Sequence, residues 1–494
     1  MKFCPNTLPG LFQEVCRLTC CSALLNSSLV SHVVLPSSPN FHSLVNAHYA
    51  TSAPLHPACF FQPTSPAEAA LGVSILAQAD DGSQGCQFAI RGGGHNPGKG
   101  AASVEGGVTI DLALMNEIVY KPETSTVSIM GGAQWGEVYK TLKPVGVAVP
   151  GGRSDTVGVG GLVMGGGMSY WAPERGLACD NVVSFEIALS NGTITTANRA
   201  TNADLFKALK GGGNNFGIIT NVEFLAFKQG PLWGGIVGHD LSFVPQQINA
   251  LVNFTSNVVH DRHAMLVTIW QHNGKANASF AASGLQYTRG VENPPIFGEF
   301  LAVPQTFSTL RVTDIYDLMM ETAPPAGKRA VFLTLTVRNE ARVLERLYAL
   351  HEEAAGVIGE RAKSADWDVI SFKQPFPVIF QEASRSSGDE NVLGLERLDA
   401  DHLVYLLFLS WESEADDVLF HETGYDLIEK LKAYTKETNT DSDYIYMNYA
   451  ARDQNPLSGY GEENLQWIAA VAKKYDPLGV FQSQSPGGFK VSAA

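Results

Sequence analysis

Apolar and polar positions along the chain fall into two textures. In the first, apolar runs are short and broken by glycine. Ser65-Pro66-Ala67-Glu68 is a capping box with proline at the first helical position, and Leu71, Ile75, Leu76 and Ala79 then recur at helical spacing. Brief apolar runs predict strands at Phe88–Ile90, Val108–Ile110 and Val127–Ile129. A helix is expected from about Gln134 to Leu142, followed by a buried strand at Gly146–Val149. Val182–Leu189 and Thr193–Thr196 flank a Ser190-Asn191-Gly192 turn and predict a hairpin. Asn202 is placed to cap a helix that stops at Lys210 before Gly211-Gly212-Gly213, and Gly217–Phe224 predicts a closing strand.

From about Leu232 glycine thins out and longer alternating strands appear, at Met265–Trp270, Val331–Val337 and Leu403–Leu409. Amphipathic stretches such as Glu340–Glu353 and Leu427–Lys436 separate them, which is an α+β pattern with a mostly antiparallel sheet. The last fifty residues return to loop chemistry with Tyr446-Met447-Asn448-Tyr449 and Pro486-Gly487-Gly488-Phe489. The expected organisation is an irregular, Ser-rich lead-in (1–53), a glycine-rich domain (54–229), an α+β domain (230–443) and a tail (444–494) that folds back onto the first domain. No internal repeat or long low-complexity linker interrupts it.

Composition narrows the class. With 45% hydrophobic and 17% charged residues, 494 residues can fill large cores and do not read as disordered or coiled-coil. A formal charge of −15 repels phosphate backbones, so no nucleic-acid partner is expected, and no apolar run is long enough for a membrane span. The seven cysteines show no CxxC pair and no His/Cys spacing that fits zinc, so no metal is expected. Four of them (Cys4, Cys16, Cys20, Cys21) crowd the N-terminus, and two readings stand open. One is a bridge from this segment to Cys59 in an oxidising compartment, and the other is free thiols throughout. Pro5, Pro9, Glu14 and Arg17 break any signal-peptide h-region. Asn26, Asn191, Asn253 and Asn277 begin glycosylation sequons, but about three arise by chance in so long a chain, so they do not fix the compartment.

Glycine clusters carry the chemistry. Arg91-Gly92-Gly93-Gly94-His95-Asn96 follows a strand, and successive backbone N–H groups in such a loop form a nest for a pyrophosphate. Gly93-x4-Gly98-Lys99 nearly matches a nucleotide-triphosphate loop, but Gly100 stands where a Ser or Thr hydroxyl must hold magnesium. A second loop runs from Gly151 to Gly167, and a third from Gly211 to Gly217. Three such loops within one stretch imply a ligand long enough to touch backbone at several points, and a dinucleotide has that length.

Arg91–Asn96, Val157-Gly158-Val159-Gly160-Gly161 with Gly165-Gly166-Gly167, Gly176–Val182, and Gly213-Asn214-Asn215-Phe216-Gly217-Ile218 together resemble the FAD-binding domain of the vanillyl-alcohol-oxidase/para-cresol-methylhydroxylase (PCMH) type. The tail, with Tyr446-Met447-Asn448-Tyr449 and Tyr475–Gln482, is similar to the C-terminal segment of berberine-bridge-enzyme-like oxidoreductases. The resemblance covers about Pro54–Phe227 and Tyr444–Lys490 and implies FAD, its pyrophosphate on the Arg91–Asn96 loop and its flavin between the two domains. It implies a single covalent link from His95 to the 8α-methyl of the flavin; the other eleven histidines read as packing or solvated residues. Ser154 stands where doubly linked members carry a cysteine, and it cannot form a thioether. Val157 takes the position that lines the oxygen space, and its small side chain resembles the oxidase members. Gly158, Gly160, Gly161, Gly217, Ile218 and Asn448 complete the expected cofactor contacts.

The implied reaction is hydride transfer from a small organic or specialised-metabolite substrate, with O2 as acceptor. Tyr446 is the candidate base or orienting group, given a cation nearby to lower its pKa. Gln374 and Trp411 are the strand candidates to face the pocket. An oxidative cyclase or a dehydrogenase of the same family is the nearest alternative. A non-catalytic flavin carrier and a triphosphate-binding protein are the readings from other classes. The resemblance points to the secretory pathway, without a clear signal peptide.

Overall fold

The computed structural model describes residues 20–79, 85–322, 326–386 and 390–494. Cys4 and Cys16 lie outside them. Three sheets organise the chain. The first has the order β1-β2-β4-β3, with β1 (Val33–Val34) antiparallel to β2 (Cys59–Phe61), and β2 and β3 (Phe88–Arg91) parallel to the central β4 (Val108–Asp111). The helix α1 (Pro66–Gln78) begins at the capping box: the Ser65 hydroxyl accepts from the Glu68 amide at 3.3 Å.

The second sheet is antiparallel: β5 (Ile118–Lys121), β6 (Thr126–Met130), β8 (Val182–Ala188), β9 (Ile194–Ala197) and β10 (Ile218–Leu225) in the order β5-β6-β10-β8-β9. The β8–β9 hairpin closes on Ala188 opposite Ile194. The expected strand at Gly146–Val149 shortens to β7 (Val147–Ala148), paired with β11 (Phe227–Lys228). Helix α2 spans Trp135–Leu142, α3 spans Val159–Met164, and α4 spans Ala203–Leu209. Asn202 precedes α4 but does not cap it. Its φ is 50° and its amide donates to Thr195 Oγ1 and the Thr196 carbonyl, so the side chain is turned back onto the hairpin.

The third sheet is antiparallel in the order β15-β12-β14-β13-β18-β19-β17, with β16 also on β12. Its strands are β12 (Leu232–His239), β13 (Ala264–Asn273), β14 (Ala278–Tyr287), β15 (Phe307–Ser308), β16 (Arg311–Thr313), β17 (Arg329–Arg338), β18 (Trp367–Phe376) and β19 (His402–Trp411). The longer helices of this half are α5 (Val244–Asn257), α6 (Ile315–Thr322), α7 (Ala341–Arg361), α8 (Asp417–Glu437) and α9 (Glu462–Tyr475). Every residue of β19 is buried, because both faces of the sheet are covered. Leu403, Tyr405, Leu407 and Leu409 belong to the main core shared with α7 and α8, while Leu406 and Phe408 turn to the opposite face. Each such buried Leu or Phe contributes about 1.5–3 kcal/mol of burial free energy.

The lead-in is more regular than its Ser-rich composition suggests. It contains β1 and a short helix at Phe41–Val45, and disulfides Cys20–Cys86 and Cys21–Cys59 tie it to the first sheet. The bridge to Cys59 therefore exists, with a second beside it. Tyr49, Ala50 and Ala53 pack with Phe332 and Phe408 of the third sheet, so this segment spans from the first sheet to the third.

Candidate active site

All three sheets border one cavity of about 560 Å³. Its first wall is the loop after β3. Gly92, Gly93, Gly94, His95 and Asn96 line it, facing Ser154, Val157, Gly158, Gly160 and Gly161 of the second glycine loop. A Cβ on Gly93 would strike the backbone of Gly158, and one on Gly158 would strike that of Gly93, so the two loops meet backbone to backbone. This close approach is why both positions lack side chains. The third loop adds Asn214 and Gly217, and the tail adds Tyr446, Asn448, Tyr449 and Phe489.

His95 sits in this wall with its ring stacked on Tyr49, centroids 4.2 Å apart and planes 22° apart. Burial lowers its pKa to about 4, against a smaller opposing pull from Asp155. The imidazole is therefore neutral at physiological pH and carries a nitrogen lone pair. Its Nε2 is buried with no hydrogen-bond partner among the described residues.

Two expected contact residues lie elsewhere. The Arg91 side chain leaves the cavity, pairing with Asp111 at 3.0 Å and resting on the Phe60 ring. Ile218 points into the core of the first sheet, and the alternation of β10 gives the cavity Ile219 in its place. Asn96 lines the cavity, and its Oδ1 accepts from the Gly98 amide. Asn448 donates to the Leu162 carbonyl at 3.0 Å and to the Tyr446 hydroxyl at 3.1 Å, fastening the tail to α3.

The tyrosines differ from the expectation. The Tyr446 hydroxyl accepts from the Met168 amide at 2.7 Å as well as from Asn448, and burial pushes its pKa up. The nearby Arg153 has too small an effect to reverse this. Tyr446 thus does not have the lowered pKa that a phenolic base requires. The guanidinium instead meets Tyr449: Arg153 Nη2 donates to its hydroxyl at 3.0 Å and to Gln374 Oε1, while Gln374 Nε2 donates to the same hydroxyl at 2.9 Å. Gln374 on β18 faces the cavity as expected. Trp411 does not; its indole donates to Asp417 and stacks on Phe420 under α8. Sequence reasoning passed over Arg153 and Tyr49. A lone cation inside a glycine loop was the available signal for Arg153; nothing local marked Tyr49.

Glycine loops from one side and an antiparallel sheet from the other thus enclose a site for a long ligand, and comparison with known proteins says which class it belongs to. The sequence model of the FAD binding domain family matches residues 57–198. The chain is 40% identical over 474 residues to the FAD-dependent monooxygenase drtC of Aspergillus calidoustus, covering 96% of this chain and 90% of that protein. It is 39% identical to the FAD-dependent monooxygenase sdcF of Emericella nidulans, covering 96% and 98%. Its fold is similar to that of 6-hydroxy-D-nicotine oxidase from Arthrobacter nicotinovorans (TM-score 0.73, 21% identity, 91% and 96% covered). It is equally similar to glucooligosaccharide oxidase from Acremonium strictum, which carries a 6-S-cysteinyl, 8α-N1-histidyl FAD (TM-score 0.73, 19% identity, 94% and 97% covered). The chain belongs to the family of FAD-dependent oxidoreductases that includes drtC and sdcF, its cofactor is FAD, and its fold is that of PCMH-type, berberine-bridge-enzyme-like oxidoreductases. The side-chain-free glycine loops that line the cavity and the His95 Nε2, which has no hydrogen-bond partner among the described residues, fit that cofactor. No helix among the described residues is long and apolar enough to cross a membrane.

Proposed function

We propose that this oxidoreductase removes a hydride from a small secondary-metabolite substrate, uses O2 as electron acceptor, and holds its FAD by one covalent bond from His95. The observation that carries the reading is the neutral His95 ring, held against Tyr49 in the wall of the glycine cradle. Bound FAD supplies a two-electron acceptor for hydride and an electron donor to O2. Arg91–Asn96 and Val157–Gly161 would hold it through backbone N–H groups, with Asn448 bracing the second loop from the tail. Ser154, in the cavity wall, offers no thiol, which supports single attachment.

Tyr449 is the group for the substrate proton. Its hydroxyl stands in the cavity wall, accepts from the Arg153 guanidinium and the Gln374 amide, and lies 3.4 Å from Gln374 Oε1, an acceptor for its own proton. Val157 in the wall supports access for O2. The names of the relatives favour a second reading, in which one oxygen atom enters the product. Turnover under ¹⁸O2 with peroxide detection separates the two. Stoichiometric peroxide with unlabelled product supports the oxidase, and labelled product with little peroxide supports the monooxygenase. Acid-precipitated protein that stays yellow, with flavin on the peptide containing His95, supports the covalent bond; colourless precipitate removes it.

A further inference from the structure

We propose that the end of the cavity under β12 and β14 is a subsite for a hydroxyl group on an apolar ring scaffold, with Glu321 and Gln286 as its acceptors. This rests on the proposed function, which makes the cavity the substrate site. Arg311 on β16 and Gln286 on β14 both stand opposite Gly234 of β12, so the three form one row across the sheet. Gly234 places no side chain between its neighbours. Glu321, near the end of α6, gives one carboxylate oxygen to Arg311 Nη1 at 2.6 Å. Its other oxygen, Oε1, is buried with no hydrogen-bond partner among the described residues. Gln286 is 2% exposed, and its Oε1 is buried and unpartnered in the same way.

Both side chains line the cavity. A buried acceptor left without a donor costs about 1–3 kcal/mol. Two of them in one corner call for a ligand that brings O–H groups, and an acceptor-only ligand would be repelled there. The wall between this corner and the Arg153–Gln374–Tyr449 trio is apolar, with Val267, Ile269, Phe280 and Phe372 facing inward. Phe307, another apolar lining residue, is 45% exposed. Strand β13 separates β14 from β18, so Gln286 and Gln374 stand two strand spacings apart and two residues out of register, roughly 12 Å. The substrate that fits is a scaffold of two or three rings, oxidised at the Tyr449 end and hydroxylated at the other. An oligosaccharide of that length would press its many hydroxyls against the apolar wall.

Calorimetric titration of the FAD-loaded protein with 4-phenylphenol, 4-methoxybiphenyl and cellobiose tests this. The first two share length and shape but differ in the O–H donor, and the third is a sugar of similar span. The phenol should bind at least about tenfold more tightly than its methyl ether, as expected for a hydrogen bond to a charged acceptor. Cellobiose should not bind measurably. Glu321→Gln and Gln286→Leu should each bring that preference below about threefold while leaving the affinity for the ether unchanged. Equal binding of the two biphenyls, a preference retained in both variants, or tighter binding of cellobiose would overturn the proposal. So would loss of FAD or of the melting transition in both variants, which would make these side chains structural. Flavin content and peroxide release on the same samples keep the two readings apart: an intact phenol preference without turnover would sink the oxidase and leave the subsite.

Discussion

Tyr446 and Tyr449 lie three positions apart in the tail, yet their hydroxyls have different work. Two donors, the Met168 amide and the Asn448 side chain, depend on the Tyr446 oxygen. Tyr446→Phe leaves the Met168 amide buried and unpaired at about 1–3 kcal/mol, while Asn448 keeps the Leu162 and Gly165 carbonyls, so the protein should melt a few degrees lower. Its turnover per folded molecule should change little. Tyr449→Phe should do the reverse, with kcat falling about a hundredfold or more and the melting temperature held, because Arg153 and Gln374 keep their hydrogen bond to each other. Thermal melts and steady-state kinetics on the same preparations check both; a large kcat loss confined to Tyr446→Phe would reverse the assignment. His48 gives a pH dependence at this scale. Burial, and then the Arg91 charge, lower its pKa to about 4, below the value near 6.5 of an unfolded chain. The unfolded state takes up the proton first, so stability is full above about pH 6.5 and falls as pH drops toward 4. His48→Asn should therefore flatten part of the loss in melting temperature between pH 7.5 and pH 5. An unchanged slope would remove His48 as a contributor.

The elements most legible in the sequence were those whose local chemistry agrees with their packing. The capping box at Ser65 starts α1 as expected, and the Ser190-Asn191-Gly192 turn joins β8 to β9. Asn202 misled because a hairpin outside its own segment claims its amide. Ser-rich composition hid the order of the lead-in, which two disulfides impose from a distance. At the site, the glycine loops were legible because close backbone approach at Gly93 and Gly158 excludes every other residue. Arg91 and Ile218 were not, because strand alternation decides which side chain turns inward. Trp411 was misplaced for the same reason. The loop contact itself carries a prediction. A methyl at Gly158 would strike the Gly93 backbone, so Gly158→Ala should retain its circular dichroism while its FAD content falls below about a tenth of wild type. Full FAD occupancy in that variant would mean that the loops part without consequence for the cradle.

On the scale of the whole molecule, the cavity is the junction of three sheets, and its filling bears on the stability of all of them. The lead-in reaches across it, with Tyr49 stacked on His95 on one side and packed with Phe332 and Phe408 on the other. A ligand bound there stabilises the folded chain by its free concentration relative to Kd, about 2.7 kcal/mol at a hundredfold excess. If FAD is covalently attached through His95, wild-type protein carries that stabilisation permanently, and added FAD has no site left to fill. His95→Ala keeps the glycine cradle and loses only the bond, so it should bind FAD reversibly. Its FAD-free form should melt well below wild type, and the melting temperature should climb with the logarithm of added FAD. Scanning calorimetry over a range of FAD concentrations reads this directly. A wild-type melting temperature that also climbs with FAD would show reversible binding and remove the covalent bond. A flat response in a folded His95→Ala protein would show that the imidazole, more than the backbone N–H groups, holds the cofactor.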